Sequence, residues 1–251
     1  MNLDINCDMG ESYGDVIVGN DAAIMPYISS ANIACGFHGG DPVTILKTIE
    51  LALKHGVSVG AHPCYHDLVN FGRTPMNLSR GELRSSILYQ VGALKSMAES
   101  VGGRISHVKP HGAMYNAAAS DIEMSRVIVG AVKEIDSSLF LYCMCGSKME
   151  EAANEAGIRC VCEAFADRAY NEDGTLVSRS NPGAVIHDID TIIERVLLMV
   201  AEGVIESVTG KIIPVKADTI CIHGDNEIAP ELARELHTYL TYRGITIAKP
   251  C

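Results

Sequence analysis

The sequence predicts an α/β fold, a (β/α) barrel of seven or eight parallel strands forming one domain over residues 1–251. Three observations lead there. Short apolar segments alternate with amphipathic segments of helical length, the pattern of parallel strands joined by right-handed crossovers. Seven or eight such units in 251 residues match one barrel better than two domains. An open doubly wound sheet is the competing arrangement. No Gly-x-Gly occurs, however, so its dinucleotide fingerprint is missing, and there is no Gly-x4-Gly-Lys-Ser/Thr phosphate loop.

In chain order, the strand candidates are residues 3–7, 31–35, 58–61, 105–109, 139–143, 159–162 and 219–222, with a short eighth at 245–248. The helices between them have readable ends. Asp41-Pro42 is an N-cap followed by proline at the first helical position. Val43, Leu46, Ile49 and Leu53 then keep helical spacing, and Gly56 stops the helix. Ser79/Glu82, Ser120/Glu123 and Ser147/Glu150 each have the spacing of a capping box. Gly157 and Gly203 follow the ends of two further helical stretches.

Composition narrows the classes. Hydrophobic residues make up 47% and charged residues 20%, which supports a sizeable core and excludes global disorder. The longest apolar run, Leu139 to Cys145, is seven residues, whereas a membrane helix needs about 20. The start, Met1-Asn2-Leu3-Asp4, has no basic region and no apolar stretch after it, so a cytoplasmic location is expected. Acids exceed bases by 31 to 20, for a formal charge of −11, which argues against a nucleic-acid surface. An anionic small molecule can still bind in a local basic pocket. The nine cysteines are an odd number, fitting a reducing compartment. Cys143/Cys145 and Cys160/Cys162 are Cys-x-Cys pairs, which on strands read as buried thiols packing in a sheet or as a four-thiolate zinc site.

Polar residues collect at the C-terminal ends of the predicted strands: Asp8 and Glu11; His38 and Asp41; His62, His66, Asp67 and Arg73; Lys109 and His111; Glu163, Asp167 and Arg168; His223, Asp225 and Asn226. In a parallel barrel these ends converge on one rim, where such barrels do chemistry. Asp8 reads as a base or metal ligand, or as a turn residue. Asp41 reads first as a helix cap. His62 and His66 have His-x3-His zinc spacing, but Pro63 drives His62 extended, away from a helical ligand pair. His107, Lys109 and His111 alternate and share a face if the strand stays extended through Pro110. A strand-end lysine implies an anion or carboxylate nearby, and Asp8 or Glu163 would serve.

The segments Asp4-Ile5-Asn6-Cys7-Asp8-Met9-Gly10-Glu11, Asn32-Ile33-Ala34-Cys35-Gly36-Phe37-His38-Gly39-Gly40-Asp41, Gly60-Ala61-His62-Pro63, Phe71-Gly72-Arg73, Val108-Lys109-Pro110-His111-Gly112-Ala113-Met114-Tyr115-Asn116, Phe165-Ala166-Asp167-Arg168-Ala169-Tyr170 and His223-Gly224-Asp225 resemble the LamB/YcsF family. The resemblance implies ATP-dependent opening of 5-oxo-L-proline (pyroglutamate) to L-glutamate, carried out with 5-oxoprolinase subunits B and C. It also implies a seven-stranded barrel similar to that of polysaccharide deacetylases, which tells against the eighth strand. Proline is usual in that family where this chain has His66, so the His-x3-His pair is not expected to be a family metal site.

A lactam is a stabilised amide, and water attacks it poorly. Coupling to ATP suggests phosphorylation of the amide oxygen, after which a site must hold the carboxylate, position the carbonyl and move protons. Asp8 and Glu11 are candidate bases or magnesium ligands. His38, His62 and His111, with Lys109, complete the candidate catalytic set, and His223 could also shuttle protons. Lys109, Arg73, Arg168 and Arg179 are candidate anion clamps. Asn6, Tyr115, Asp167, His223 and Asp225 join Arg73, Arg168 and Arg179 as candidate substrate contacts. With no nucleotide motif, ATP binds either on this rim in an unrecognised way or on a partner. Two other classes fit the same residues: a stand-alone metal-dependent deacetylase or amidohydrolase, and a non-catalytic binding subunit.

Overall fold

A computed structural model describes residues 1–250 of the chain. Strands β1 (Asn2–Met9), β2 (Ser30–Ala34), β3 (Ser58–His62), β4 (Ile105–Val108), β5 (Phe140–Met144) and β6 (Cys160–Phe165) pair in parallel, each with the next. A small antiparallel hairpin of β7 (Val204–Glu206) and β8 (Ile212–Pro214) follows, and then β9 (Thr219–Ile222) pairs with both β6 and β1. The result is a closed barrel of seven parallel strands. The eighth candidate does form, as β10 (Thr246–Ile247), but it pairs only with Asn2 and Leu3 of β1 and is not a barrel stave.

Around the barrel lie the short α1 (Asp21–Ile24), then α2 (Pro42–His55), α3 (Arg80–Ser100), α4 (Gly112–Ser120), α5 (Ile122–Ile135), α6 (Lys148–Ala156), α7 (Ile189–Ala201) and α8 (Ala229–Tyr242). No helix among the described residues is long and apolar enough to cross a membrane. Asp41 caps α2 through the Val43 and Thr44 amides, and Gly56 ends it in the left-handed region. Ser79 and Glu82 form a reciprocal capping box on α3. Ser147 caps α6, but Glu150 bonds the Gly146 amide instead of closing the box.

Two local expectations are corrected. The cap of α5 is Asp121, which takes the Glu123 and Met124 amides, while Ser120 finishes α4 by donating to the Ala117 carbonyl. The buried face of α2 is Ile45, Thr48, Ile49 and Ala52; Val43 and Leu53 are exposed. The sequence spacing is helical, but its phase is set by which face meets the strands.

Alternation along the strands divides the core in two. Leu3, Ile5, Cys7 and Met9 of β1, Ala31 and Ile33 of β2, and Val59 and Ala61 of β3 pack in one apolar layer with helix residues such as Ile49, Ile87, Val91, Ile128, Val132 and Leu236. Burying each such Ile or Leu contributes about 1.5–3 kcal/mol, so this layer holds the barrel to its helices. The opposite face of the strands is polar and lines the barrel interior.

The cysteines also differ from expectation. Cys143 and Cys160 are joined by a disulfide between β5 and β6, so no four-thiolate site forms. The other half of each Cys-x-Cys pair, Cys145 and Cys162, stays free.

Candidate active site

The barrel interior is a column of hydrogen bonds. At its N-terminal end the Asp4 carboxylate accepts from Ser30 (2.8 Å), Tyr142 (2.9 Å) and Thr219 (2.6 Å). One layer higher, Asn6 Nδ2 donates to Thr219, Asn32 Nδ2 donates to Asn6 Oδ1 (2.7 Å), and His107 Nε2 donates to Asn32 Oδ1 (2.9 Å). Gly60 on β3 makes room for the His107 ring: a Cβ there would stand 2.0 Å from His107 Nε2.

Above this, at the C-terminal end of the strands, sits a buried ion cluster. Lys109 Nζ lies 2.9 Å from Asp8 Oδ1 and 2.8 Å from Glu163 Oε1, and donates to Asn6 Oδ1 at 3.2 Å. The Glu163 contact is an ion pair without hydrogen-bond alignment, since both its oxygens lack a hydrogen-bond partner. Burial opposes the Lys109 charge, but the negative potential of Asp8, Cys221 and Glu163 holds the ammonium well above its ordinary value. Burial and the Glu163 charge push the neighbouring Tyr115 phenol well up.

His62 and His111 meet beside Asp8. His62 Nε2 is 3.3 Å from Asp8 Oδ1 and 2.9 Å from His111 Nδ1. Behind them His38 stacks on His111 with centroids 3.9 Å apart, and its Nε2 is 3.1 Å from Glu11 Oε1. The two carboxyls are driven apart. Burial and the Asp8 and Asp225 charges hold Glu11 well above the carboxylate range. Burial also works against Asp8, but the positive potential of His62 and Lys109 outweighs it and holds Asp8 well below that range. Burial keeps His38 and His111 neutral-leaning, well below the usual imidazole value. Two titratable carboxyls separated in this way are a recurrent basis for acid and base roles in one site.

This cluster opens into a cavity of about 680 Å³ lined by Asp8, His62, Lys109, His111, Tyr115 and His223, with Arg73, Arg168 and Arg179 on its walls. The first turn of α4 has no side-chain cap and lines the cavity through Gly112 and Ala113, but the Ala113 amide is already taken by the Gly72 carbonyl at 3.0 Å.

Not every candidate reaches this cavity. Asn6, Glu11 and His38 lie behind it as supports. Asp167 orients His223 through its Nδ1 (2.8 Å), and Asp225 pairs with Arg73. Arg168 lines the cavity, but its guanidinium donates to the Val177 and Ala184 carbonyls and so braces the segment 171–186. Burial, and then Arg179, lower its pKa to about 10. His66 is exposed and stacks on Phe37, away from His62. Asp41 and Asp67 bond backbone amides as cap and loop brace. Missing from the sequence-based candidate set were Asn32 and Cys221, whose inward register on β2 and β9 was the available signal.

A closed seven-stranded parallel barrel with buried carboxylates and imidazoles at one mouth defines the class. The same barrel, at a TM-score of 0.52, is found in the catalytic domain of a peptidoglycan N-acetylglucosamine deacetylase from Eubacterium rectale, which is 8% identical and matched over 98% of this chain and 88% of that one. The chain belongs to the LamB/YcsF family, whose model matches residues 3–251. It is 47% identical over 251 residues to the A subunit of 5-oxoprolinase from Acinetobacter baylyi, covering 100% of this chain and 99% of that relative. The crystal structure of a lactam utilization protein from Thermus thermophilus superposes with a TM-score of 0.93 at 47% identity, covering 99% of each chain.

Proposed function

We propose that this chain is the A component of an ATP-dependent 5-oxoprolinase, which opens 5-oxo-L-proline to L-glutamate together with partner subunits B and C. The observation that carries the reading is the cavity floor, where Asp8 and Lys109 meet the His62–His111 pair beneath two wall arginines. A five-membered lactam bearing one carboxylate suits this arrangement. Arg179 and Arg73 are the positive groups for the carboxylate. Lys109 and Tyr115 stand where a ring carbonyl oxygen gaining negative charge would be stabilised. Asp8, kept ionised, takes the proton of the attacking water, and His223, oriented by Asp167 at the cavity wall, returns a proton to the ring nitrogen as the C–N bond breaks. Names of relatives, including the lactam utilization protein, support the substrate class.

ATP supplies a phosphoryl group to the amide oxygen; water adds to the carbon that bears this oxygen, the C–N bond breaks to leave an acyl phosphate, and a second water releases phosphate and glutamate. The sequence carries no Gly-x4-Gly-Lys-Ser/Thr phosphate loop. Nucleotide handling is therefore assigned to the partner subunits. The test is reconstitution: this chain with its B and C partners, ATP and 5-oxoproline, with glutamate measured. Glutamate is expected from the mixture and little or none from the isolated chain. Full turnover by the single chain would refute the partner requirement, and unchanged turnover by a complex carrying Asp8→Asn would refute the catalytic assignment.

A further inference from the structure

The two imidazoles at the cavity floor hold an arrangement that neutral histidines cannot satisfy alone. His62 Nδ1 lies 2.6 Å from the Lys109 carbonyl, and His111 Nε2 lies 2.9 Å from the Phe71 carbonyl. A carbonyl only accepts, so each of these nitrogens carries the proton. That leaves lone pairs on His62 Nε2 and His111 Nδ1, which face each other at 2.9 Å. Asp8 Oδ1 stands 3.3 Å from the first and Glu11 Oε1 stands 3.8 Å from the second. Two acceptor nitrogens thus face each other, and a shared positive charge must stand between them.

We propose that Glu11, His62 and His111 bind one divalent transition-metal ion of the zinc class, with a further coordination position open to the cavity. Zinc bonds of 2.0–2.1 Å in a tetrahedron place donor atoms about 3.3 Å apart. The 2.9 Å and 3.8 Å separations from His111 Nδ1 bracket that edge. The outer contacts match as well. Metal-bound histidines characteristically donate their other N–H to a carbonyl, as both rings do here. Glu11 is braced in turn by His38 Nε2 at 3.1 Å, and the ligand-capable atoms of Glu11, His38, His62 and His111 all lie within 4.8 Å of one another. Two imidazoles with one carboxylate favour zinc, cobalt or iron over magnesium, which prefers an all-oxygen shell. The cavity gives the ion its way in, since His62 and His111 line it. The inference stands on this geometry and not on the reaction proposed above.

A second ligand group, Cys145, Glu150 and Cys162, sets the control. The chain is stripped with a chelator, then titrated with Zn²⁺ by calorimetry and with Co²⁺ by absorption spectroscopy. One ion per chain is expected, with cobalt d–d bands and no thiolate charge-transfer band. His62→Asn, His111→Asn and Glu11→Gln should each weaken affinity by ~100-fold, while C145S/C162S leaves it unchanged. Absence of stoichiometric binding, a charge-transfer band lost in C145S/C162S, or unchanged affinity in any one of the three variants overturns the ligand set. Should a variant fail to fold, as judged by circular dichroism, the cobalt spectrum of the unaltered chain still decides between nitrogen–oxygen and thiolate ligation.

Discussion

Replacing Lys109 by methionine tests the centre of the site most directly. The change keeps the side chain's volume and removes its charge. It leaves Asp8 and Glu163, both buried and 2.9 and 2.8 Å from the lost ammonium, without their common cation. Deleting one partner of a buried ion pair costs about 3–5 kcal/mol. Two carboxylates lose their partner here, so ~4–5 kcal/mol is expected. In a chain of this size each kcal/mol moves the melting temperature by roughly 2–4 °C, which predicts a fall of about 8–20 °C by circular dichroism. The double variant Lys109→Met/Glu163→Gln removes one uncompensated charge and should recover about half of the loss. Glutamate formation by the reconstituted complex should remain at least tenfold down in both, or ~1.4 kcal/mol in the barrier. A melt of Lys109→Met within about 2 °C of the parent would show that the cluster is not charge-compensated as described. Restored turnover in the double variant would reduce Lys109 to a structural role.

Two further predictions address the column beneath. Burial, and then the Lys109 and His62 charges, push the His107 pKa down to about 3. An unfolded histidine titrates near ~6.5, so the unfolded chain takes up the proton first. His107 therefore contributes stability fully above pH ~6.5 and loses it as pH falls toward 3, with ~5 kcal/mol at stake across that span. Urea melts at pH 7, 5.5 and 4.5 should show the decline and His107→Gln should flatten it; parallel declines in both proteins would refute the assignment. Gly60→Ala drives a methyl into the His107 ring and off its Asn32 bond, for a loss of ~2–4 kcal/mol. Chemical denaturation would read it, and a neutral result would mean that the ring is not held where described.

The barrel strands were legible because each is a short apolar run between turn residues, and observed ends fall within three residues of the expected ones. The hairpin of β7 and β8 was not, since three-residue strands carry too little pattern. Ser120 and Asp121 are adjacent capping residues, and which one starts α5 depends on where α4 ends. The Cys143–Cys160 bond was hidden for a different reason. Both cysteines could be placed on a common face, but their partners depend on strand register, here Cys143 opposite Cys162. At the site, the strand-end residues could be read one by one. Their pairings could not: Glu11 with His38, His62 with His111 and Lys109 with Glu163 are 27, 49 and 54 positions apart.

What the sequence pattern concealed most is that chemistry and stability share one network. Asp4, Asn6 and Asp8 follow one another on the same face of β1, and each level of the column touches the next through Thr219, Asn32 and Lys109. An apolar barrel interior would have held the strands with no preference for the orientation of Asp8. In this one, Asn32 Nδ2 donates to Asp8 Oδ1 at 2.9 Å while His107 holds the amide of Asn32 from the far side. The lone pair that Asp8 presents to the cavity is thus selected by residues in the layer directly below it. Reversing the Asn32 amide would set its oxygen against the Asp8 carboxylate and its NH₂ against the His107 N–H, two repulsions in a buried setting where an unmet polar group costs about 1–3 kcal/mol. The orientation of the candidate base is therefore fixed by the same bonds that close the barrel.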